Sequence, residues 1–484
     1  MSTRQDVGLR SFSKLFIGGR WVDPVSEETL SVVSPSSEEV IATVPSASPA
    51  DVDAAVAAAR RAFDDGPWPR MSAAERAGYL SRIRDEVAAR VEDMEHAFSA
   101  EVGAPAGVSK AFHQNALAAW DDAITVHQRA AFEEKRSWGD GEGVLVREPV
   151  GVVAAIIPWN GPVAQASMKY APALAAGCTV VLKPSPEAPL STLILAEAIE
   201  AAGLPEGVVS MVPAGREVGE HLVRHPDVDK VSFTGSTAAG KRIMSICGER
   251  IARVSLELGG KSAAIVADDV PVGDVVPSLV QAGVINSGQV CAALTRVLVP
   301  RHRQQEFAEA IAGEMESYSV GSPFEEGTDL GPLVSEQQRE RVESYVRLGV
   351  EEGARLITGG ARPEGLERGW YVAPTLFADV RNDMRIAREE IFGPVMCLIP
   401  FDGIDEAVAI ANDSDYGLSG AVYAEDTALA ERVARQVRTG QICINGWAMR
   451  IDQPFGGYKQ SGLGREGNLE GLGAFLEYKL IQHS

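Results

Sequence analysis

Two hydrophobic rhythms alternate along the chain. Residues 51–63 (DVDAAVAAARRAF) place apolar side chains at helical spacing, with Ser48 or Asp51 near the start. Residues 71–98 continue in helical style, and Ser72 followed by Glu75 makes a capping-box pattern. The β-branched run 150–157 then predicts a buried strand, followed by a helix over 163–176, a strand over 179–182 and a helix over 190–202. The same alternation gives a strand at 208–212, a helix at 218–224, a strand at 230–233 and a helix at 238–247. Such a pattern predicts parallel βαβ units in a doubly wound sheet. A second α/β block starts near Ser262, with strands at 263–266 and 295–299 and helices near 271–284, 303–318 and 335–352. It continues with strands near 395–400 and 420–423 and a helix between them at 404–412. Residues 138–149 read as an inserted hairpin and 474–481 as a strand, and these two pieces are expected to pair between subunits.

A length of 484 residues exceeds one ordinary core and implies two or three domains. With 45% hydrophobic and 23% charged residues, the composition is that of a globular chain. The apolar runs, such as 151–158, are far shorter than a bilayer span. The polar first ten residues lack the basic-then-apolar pattern of a secretory signal, so the expected compartment is the cytoplasm. A net charge of -22 repels nucleic acid and anionic membranes, so neither is an expected partner. An anionic cofactor would need donors placed locally.

The five cysteines (Cys178, Cys247, Cys291, Cys397 and Cys443) are odd in number, widely spaced and free of any CxxC. The seven histidines do not cluster. No disulfide framework and no metal site is expected. Most of these thiols should be buried, and a reactive one must be set apart by its surroundings.

Seven segments carry candidate chemistry. Cys291 stands in NSGQVCAALTR, Glu257 beside two glycines in LELGGKS, and Asn160 between prolines in PWNGP at the end of a buried strand. FTGSTAAGK (233–241) follows a strand and opens a helix with small residues, which suits a phosphate at a helix N-terminus. Lys183 ends a strand in VLKPSPEAP, and EEIFGPV (389–395) and PFGGYKQSGLGRE (454–466) complete the set. Taken singly, each has an ordinary explanation: a core cysteine, a surface acid, a turn asparagine, a helix start.

Taken together, and in this order, they resemble the aldehyde dehydrogenase superfamily. The resemblance runs from LFIGGRWV (15–22) to FLEYK (475–479). It implies an α/β fold with a Rossmann-like cofactor-binding domain (residues 1–128 and 150–256) and a second α/β catalytic domain (257–466). A small β oligomerisation element (129–149 and 467–484) completes it, in a homodimer or homotetramer. By matching motifs, Cys291 attacks an aldehyde to give a thiohemiacetal. The Asn160 amide and the Cys291 backbone N–H meet its oxyanion, hydride leaves for the nicotinamide, and a thioester remains. Glu257 matches the base that activates water for hydrolysis, which argues against a CoA-acylating or phosphorylating variant. Lys169 and Glu466 match proton-relay positions.

For the cofactor, Lys183 and Ser185 resemble the adenosine-ribose site, Ser236 the pyrophosphate contact, and Glu390 and Phe392 the nicotinamide contacts. Ile156, Trp159, Phe233, Gly235 and Leu258 line the same crevice, and Gly215 to Gly219 flank the adenine. One departure concerns the acid that many NAD-preferring relatives carry three residues after the lysine. Here that position is Pro186, and Glu187 follows. NAD is expected, because Glu187 can partly substitute and no arginine stands beside the motif, with NADP left open. A second departure is Gly161, where many relatives have an aromatic residue. With Gln165 and Met168 on one helix face, it predicts a widened entrance for a bulky aldehyde, aromatic or terpenoid; the competing reading makes Met168 simple helix core. Trp447, Met449 and Arg450 are candidates for the opposite wall. Arg450 is either a carboxylate-recognising residue or a solvated one. The alternative function is an NADP-preferring semialdehyde dehydrogenase.

Overall fold

Five parallel strands form the centre of the first sheet in the computed structural model, which describes residues 9–483. The N-terminal stretch read for a signal segment lies outside the described residues except for Leu9 and Arg10, as does Ser484. The central strands lie side by side as Arg253–Glu257, Lys230–Thr234, Val152–Ile156, Thr179–Lys183 and Val209–Met211. Chain order reverses between Val152–Ile156 and Lys230–Thr234. That reversal is a topological switch point, where a ligand crevice opens beyond the strand carboxyl ends. Antiparallel strands close both ends: Gly462–Leu463 on one, Leu15–Ile17 and then Arg20–Val22 on the other.

Helices cover both faces, which explains why the parallel strands are apolar runs rather than alternating ones. Val52, Val56, Leu222 and Ile243 pack beneath Ala154 and Val231 on one face. Leu80, Trp120, Tyr170 and Leu193 pack over Val153 and Leu182 on the other. A second sheet orders its strands Arg355–Thr358, Thr375–Ala378, Val395–Phe401, Arg296–Pro300, Ala263–Val266, Gly420–Tyr423 and Cys443–Ile444, with a separate apolar core. Among the described residues no helix is long and apolar enough to cross a membrane.

The third sheet corrects one expectation. The hairpin Glu133–Trp138 and Gly141–Pro149 is bordered by Leu476–His483 of the same chain, with Tyr478 opposite Arg147. The tail therefore pairs within the subunit. The short helix Asn468–Gly473 brings it back by burying Leu472 against the first domain's core.

The helix expected over 71–98 is two, Ala73–Ala89 and Val91–Val102, because Arg90 leaves the helical region at φ -116° and ψ 11°. The capping boxes of Ser48 with Asp51 and of Ser72 with Glu75 both form. Helix Ala106–Val126 and the N-terminal strand pairs are absent from the pattern reading. Alanine dilutes the helix's apolar stripe, and three-residue strands carry too little alternation to register.

Helix Leu190–Ala201 begins at Pro189 with no cap of its own. Glu101, from Val91–Val102, supplies one: its buried carboxylate accepts from Leu190 N at 2.7 Å, Ser191 N at 3.0 Å and Ser191 Oγ at 2.6 Å. Glu101→Ala strands three buried donors at once and should cost about 3 kcal/mol. Thermal unfolding of the full chain should show a lower midpoint; an unchanged one would show that water replaces the carboxylate freely.

Candidate active site

The crevice is built where backbones approach too closely for side chains. Glu257 ends its strand, and its carbonyl accepts from Gly235 N at 3.0 Å. The glycine pair that follows leaves room for two neighbours. A Cβ on Gly260 would lie 2.3 Å from the Cys291 carbonyl oxygen, and one on Gly259 would lie 2.3 Å from Glu390 Oε2. Gly260 N also donates to Glu390 Oε1 at 3.0 Å. Ahead of Cys291, three residues in succession are left-handed: Asn286 (φ 52°), Ser287 (φ 55°) and Gly288 (φ 72°). Such a run stores strain, about 1–3 kcal/mol at each non-glycine residue. A Cβ on Gly288 would lie 2.0 Å from the Gly393 carbonyl oxygen, so the cysteine loop and the EEIFGP segment interlock. Phe392, itself left-handed at φ 61°, sets its ring edge-on to Trp159 at 5.4 Å.

Asn160, Glu257, Cys291, Glu390 and Phe392 thus share one cleft of about 880 Å³, with Leu258 on its wall. The Asn160 amide is buried and gives one hydrogen to the Gln289 carbonyl at 2.9 Å. The backbone N–H groups of Cys291 and Ala292 favour the thiolate of Cys291 and partly oppose the effect of burial.

A second hollow of about 400 Å³ opens beside it, between Ile156, Trp159, Lys183, Ser185, Glu187, Gly219, Phe233, Gly235 and Ser236. Gly219 lets the Lys183 stem pass, since a Cβ there would lie 3.1 Å from it. Gly215 does not line the hollow; it opens the helix Arg216–Arg224. Ser236 caps the helix Thr237–Arg250, its hydroxyl accepting from Ala239 N at 3.3 Å. Ser185 donates to the Glu187 carboxylate. The Thr234 and Thr237 hydroxyls, unremarked in the sequence, are buried with no hydrogen-bond partner among the described residues. The inference from a missing arginine is corrected: the fold brings Arg216 and Arg242 into this hollow. Arg242 is held by Glu220 at 2.7 Å, whereas Arg216 makes no ion pair among the described residues.

The substrate side also departs from expectation. Gly161 leaves no widened entrance, because the Phe112 ring fills its space: a Cβ on Gly161 would lie 2.8 Å from that ring. Gln165 lines the cleft. Met168 packs in an apolar patch that includes Cys291, Phe112, Trp447, Met449, Ile451 and Phe455. Trp447 Nε1 donates to the Ala292 carbonyl at 3.3 Å. Arg450 lies outside the cleft, exposed and paired with Asp452 at 2.6 Å, so its charge is already answered.

The model of the aldehyde dehydrogenase family matches residues 21–481. The chain belongs to that family. It is 46% identical over 472 residues to a geranial dehydrogenase of Castellaniella defragrans, covering 96% of this chain and 98% of that one. Its fold is similar to that of a Mycobacterium tuberculosis aldehyde dehydrogenase complexed with NAD+ (TM-score 0.96, 45% identity, 98% of each chain covered). It is also similar to a mutant of aldehyde dehydrogenase C from Pseudomonas syringae in complex with NAD+ and octanal (TM-score 0.94, 44% identity, 97% and 96% covered).

The electrostatics of this aldehyde dehydrogenase are dominated by burial. Burial lifts Glu257 well above the ordinary carboxylate range, nearby Glu466 adds to the rise, and Lys169 opposes it. Lys169 and Glu466 form a buried pair at 2.6 Å. Glu257 Oε2 and Glu466 Oε2 have no hydrogen-bond partner among the described residues. Burial pushes Glu390 up to about 7 and the Cys291 thiol up to about 12, the latter helped by Glu390 and Glu257. Exposure alone does not single out Cys291, since Cys443 is also only partly buried.

An acid with so high a pKa is a thiol at neutral pH, and its thiolate fraction grows with each unit of pH. Alkylation of Cys291 by iodoacetamide, without ligand and resolved by mass spectrometry, should therefore climb steadily between pH 7 and about 9.5. A plateau below pH 9 would show a thiolate stabilised in the resting enzyme.

Proposed function

We propose that this aldehyde dehydrogenase oxidises a bulky apolar aldehyde to its carboxylic acid through a thioester on Cys291, with NAD+ as acceptor. The observation that carries the reading is the apolar packing against the thiol. Phe112, Met168, Trp447, Met449, Ile451 and Phe455 form an uncharged cluster with Cys291 on one side, while Asn160 and Glu257 share the cleft with it on the other. The geranial dehydrogenase relative and the octanal complex support an apolar aldehyde, terpenoid or long-chain.

In this reading the Cys291 sulfur bonds to the carbonyl carbon as its proton leaves. The second hydrogen of the Asn160 amide and the Cys291 N–H hold the oxygen that becomes negative. Glu257 then takes a proton from the water that attacks the thioester. Its raised affinity for protons suits a base that must accept one from water. Lys169 and Glu466 stand behind it.

The residues around the second hollow fit a nicotinamide dinucleotide. The unpartnered Thr234 and Thr237 hydroxyls and the free N–H groups at the start of helix Thr237–Arg250 suit a pyrophosphate. Lys183, Ser185 and Glu187 would hold the adenosine half, with Ile156, Gly219, Phe233 and Gly235 as walls and Gly215 setting the helix beside it. Glu390, Phe392, Trp159 and Leu258 would hold the nicotinamide end. Bound there, the cofactor supplies the two-electron acceptor. NADP is the second reading, favoured by Arg216 facing the hollow. A semialdehyde substrate is not favoured, because Asp452 already engages Arg450.

We assign residues 1–128 and 150–256 to cofactor binding, 257–466 to catalysis, and 129–149 with 467–484 to assembly as a homodimer or homotetramer. Strand Gly462–Leu463 crosses back to the first sheet. The exposed Tyr478, Leu480 and Ile481 would meet a second copy.

A panel of aldehydes assayed by NADH absorbance tests the substrate. Apolar aldehydes such as geranial or octanal should have KM values about tenfold or more below those of carboxylated ones, since one or two methylenes already count for that much. The reverse order would remove the apolar reading. Cys291→Ala should abolish oxidation while binding the dinucleotide as tightly as the native chain; retained turnover would exclude the thioester.

Glu257→Gln separates the two halves of the reaction. The first equivalent of NADH should form near the native rate, and steady turnover should fall by about 100-fold or more. Equal steady rates would show that another group activates the water.

A further inference from the structure

A closed cycle of amide side chains holds the turn ahead of Cys291. Asn160 Nδ2 donates to the Gln289 carbonyl at 2.9 Å. Gln289 Nε2 donates to the Asn286 carbonyl at 3.1 Å. Asn286 Nδ2 returns to the Asn160 carbonyl at 3.4 Å, the longest of the three. Each residue thus gives one side-chain hydrogen bond to the backbone of the next, and all three are buried. The turn is also anchored from outside: Gln289 Oε1 accepts from Val334 N at 2.9 Å, and Ser287 Oγ donates to the Gly331 carbonyl at 2.7 Å. Asn160, Cys291 and Val334 line the cleft, and Asn286 and Gln289 stand behind them.

Two physical demands meet in this cycle. The terminal torsion of an asparagine side chain is broad and close to twofold. Turned one way, the Asn160 amide offers an N–H to a developing oxyanion. Turned the other way, it offers its own oxygen, which repels. The Gln289 carbonyl decides between them, because only Nδ2 can donate to it. The second demand comes from the left-handed turn, where Asn286 (φ 52°) and Ser287 (φ 55°) are strained. Such a turn keeps its shape only where its surroundings over-determine it. The Asn286 carbonyl accepts from Gln289 N at 3.1 Å as well as from Gln289 Nε2. Cys291 follows Gln289 by two residues, so the same turn sets the direction of its N–H.

We propose that Asn286 and Gln289 are positioning residues that fix the Asn160 amide and the Cys291 N–H as one preorganised pair of donors for the oxyanion. The proposal deepens the thioester reading above and rests on it. Neither residue touches the substrate. Their contribution is that no donor has to turn when charge develops on the carbonyl oxygen. That charge develops as the sulfur adds to the aldehyde, before any hydride leaves. Loss of the cycle therefore slows the first equivalent of NADH, whereas loss of Glu257 slows the turnover that follows it.

Two substitutions in the full-length enzyme test the role. Gln289→Met keeps the length of the side chain and removes both of its polar ends. Asn286→Gly is the milder change, removing the amide while leaving a residue at ease with a left-handed backbone. Stopped-flow mixing with NAD+ and an apolar aldehyde should show the first equivalent of NADH forming roughly ten- to a hundredfold more slowly than in the native enzyme. Iodoacetamide alkylation of Cys291 displaces iodide at a saturated carbon and builds no oxyanion, so its rate at fixed pH should stay near native. In an Asn160→Ala background the same substitutions should cost far less, because the amide they orient is gone. Native first-equivalent rates in both variants, an undiminished loss in the Asn160→Ala background, or a parallel fall in alkylation would overturn the positioning role. Turnover retained by Cys291→Ala would instead overturn the thioester reading on which it rests.

Discussion

The Lys169 ammonium and the Glu466 carboxylate meet at 2.6 Å with almost no solvent around either. One comes from the helix Pro162–Ala176 of the first domain, the other from the loop that returns after the second sheet. Removing one partner from such a pair strands a buried charge at a cost of about 3–5 kcal/mol. The pair therefore pins the returning loop to the first domain. That loop in turn encloses Glu257, since a Cβ on Gly456 would lie 2.6 Å from Glu257 Oε1. Its short strand Gly462–Leu463 pairs with Leu256 and Glu257. The raised proton affinity of Glu257 follows from this enclosure, because burial is its largest cause and Glu466 its second.

Two buried carboxyl groups, Glu257 and Glu466, and the partly buried Glu390 stand around one thiol and one lysine in this arrangement. Not all can be charged together, because each unpaired buried charge raises the affinity of the next for a proton. Burial accordingly raises the proton affinity of Glu257, Glu390 and the Cys291 thiol together. In the proposed reaction, deprotonation of the sulfur and of the attacking water is coupled to proton movement elsewhere.

The parallel strands and most helices of both blocks are legible in the sequence because they are long, periodic and buried on both faces. The buried polar residues of KVSFT and RVSLE escape that reading. A strand of mixed polarity looks like a half-exposed edge until the register shows Ser232 beside Ser255 in the sheet interior. Cys291, Glu257 and Asn160 stand out through motif order, and the fold brings all three to one cleft. Phe112 and Arg216 are illegible for a different reason. Each sits in a segment with no motif and reaches its place by tertiary packing, Phe112 over Gly161 and Arg216 beside Lys183. An absent side chain at one position says nothing about which neighbour will fill the gap.

Charge makes the same point on a larger scale. A chain with net charge -22 repels a dinucleotide at a distance, so binding must come from donors close at hand. Lys183, Arg216, Arg242 and the start of helix Thr237–Arg250 concentrate positive potential in one hollow, and Glu187 and Glu220 temper it. A pyrophosphate gains from that balance without further demand. A 2'-phosphate would be repelled by Glu187 and attracted by Arg216, and both line the hollow. The choice between the two dinucleotides therefore rests on which side chain turns toward the ribose, the carboxylate held by Ser185 or the guanidinium with no ion-pair partner among the described residues. That carboxylate already accepts the Ser185 hydroxyl. It is thus oriented before any ligand arrives, and it tips the balance toward NAD.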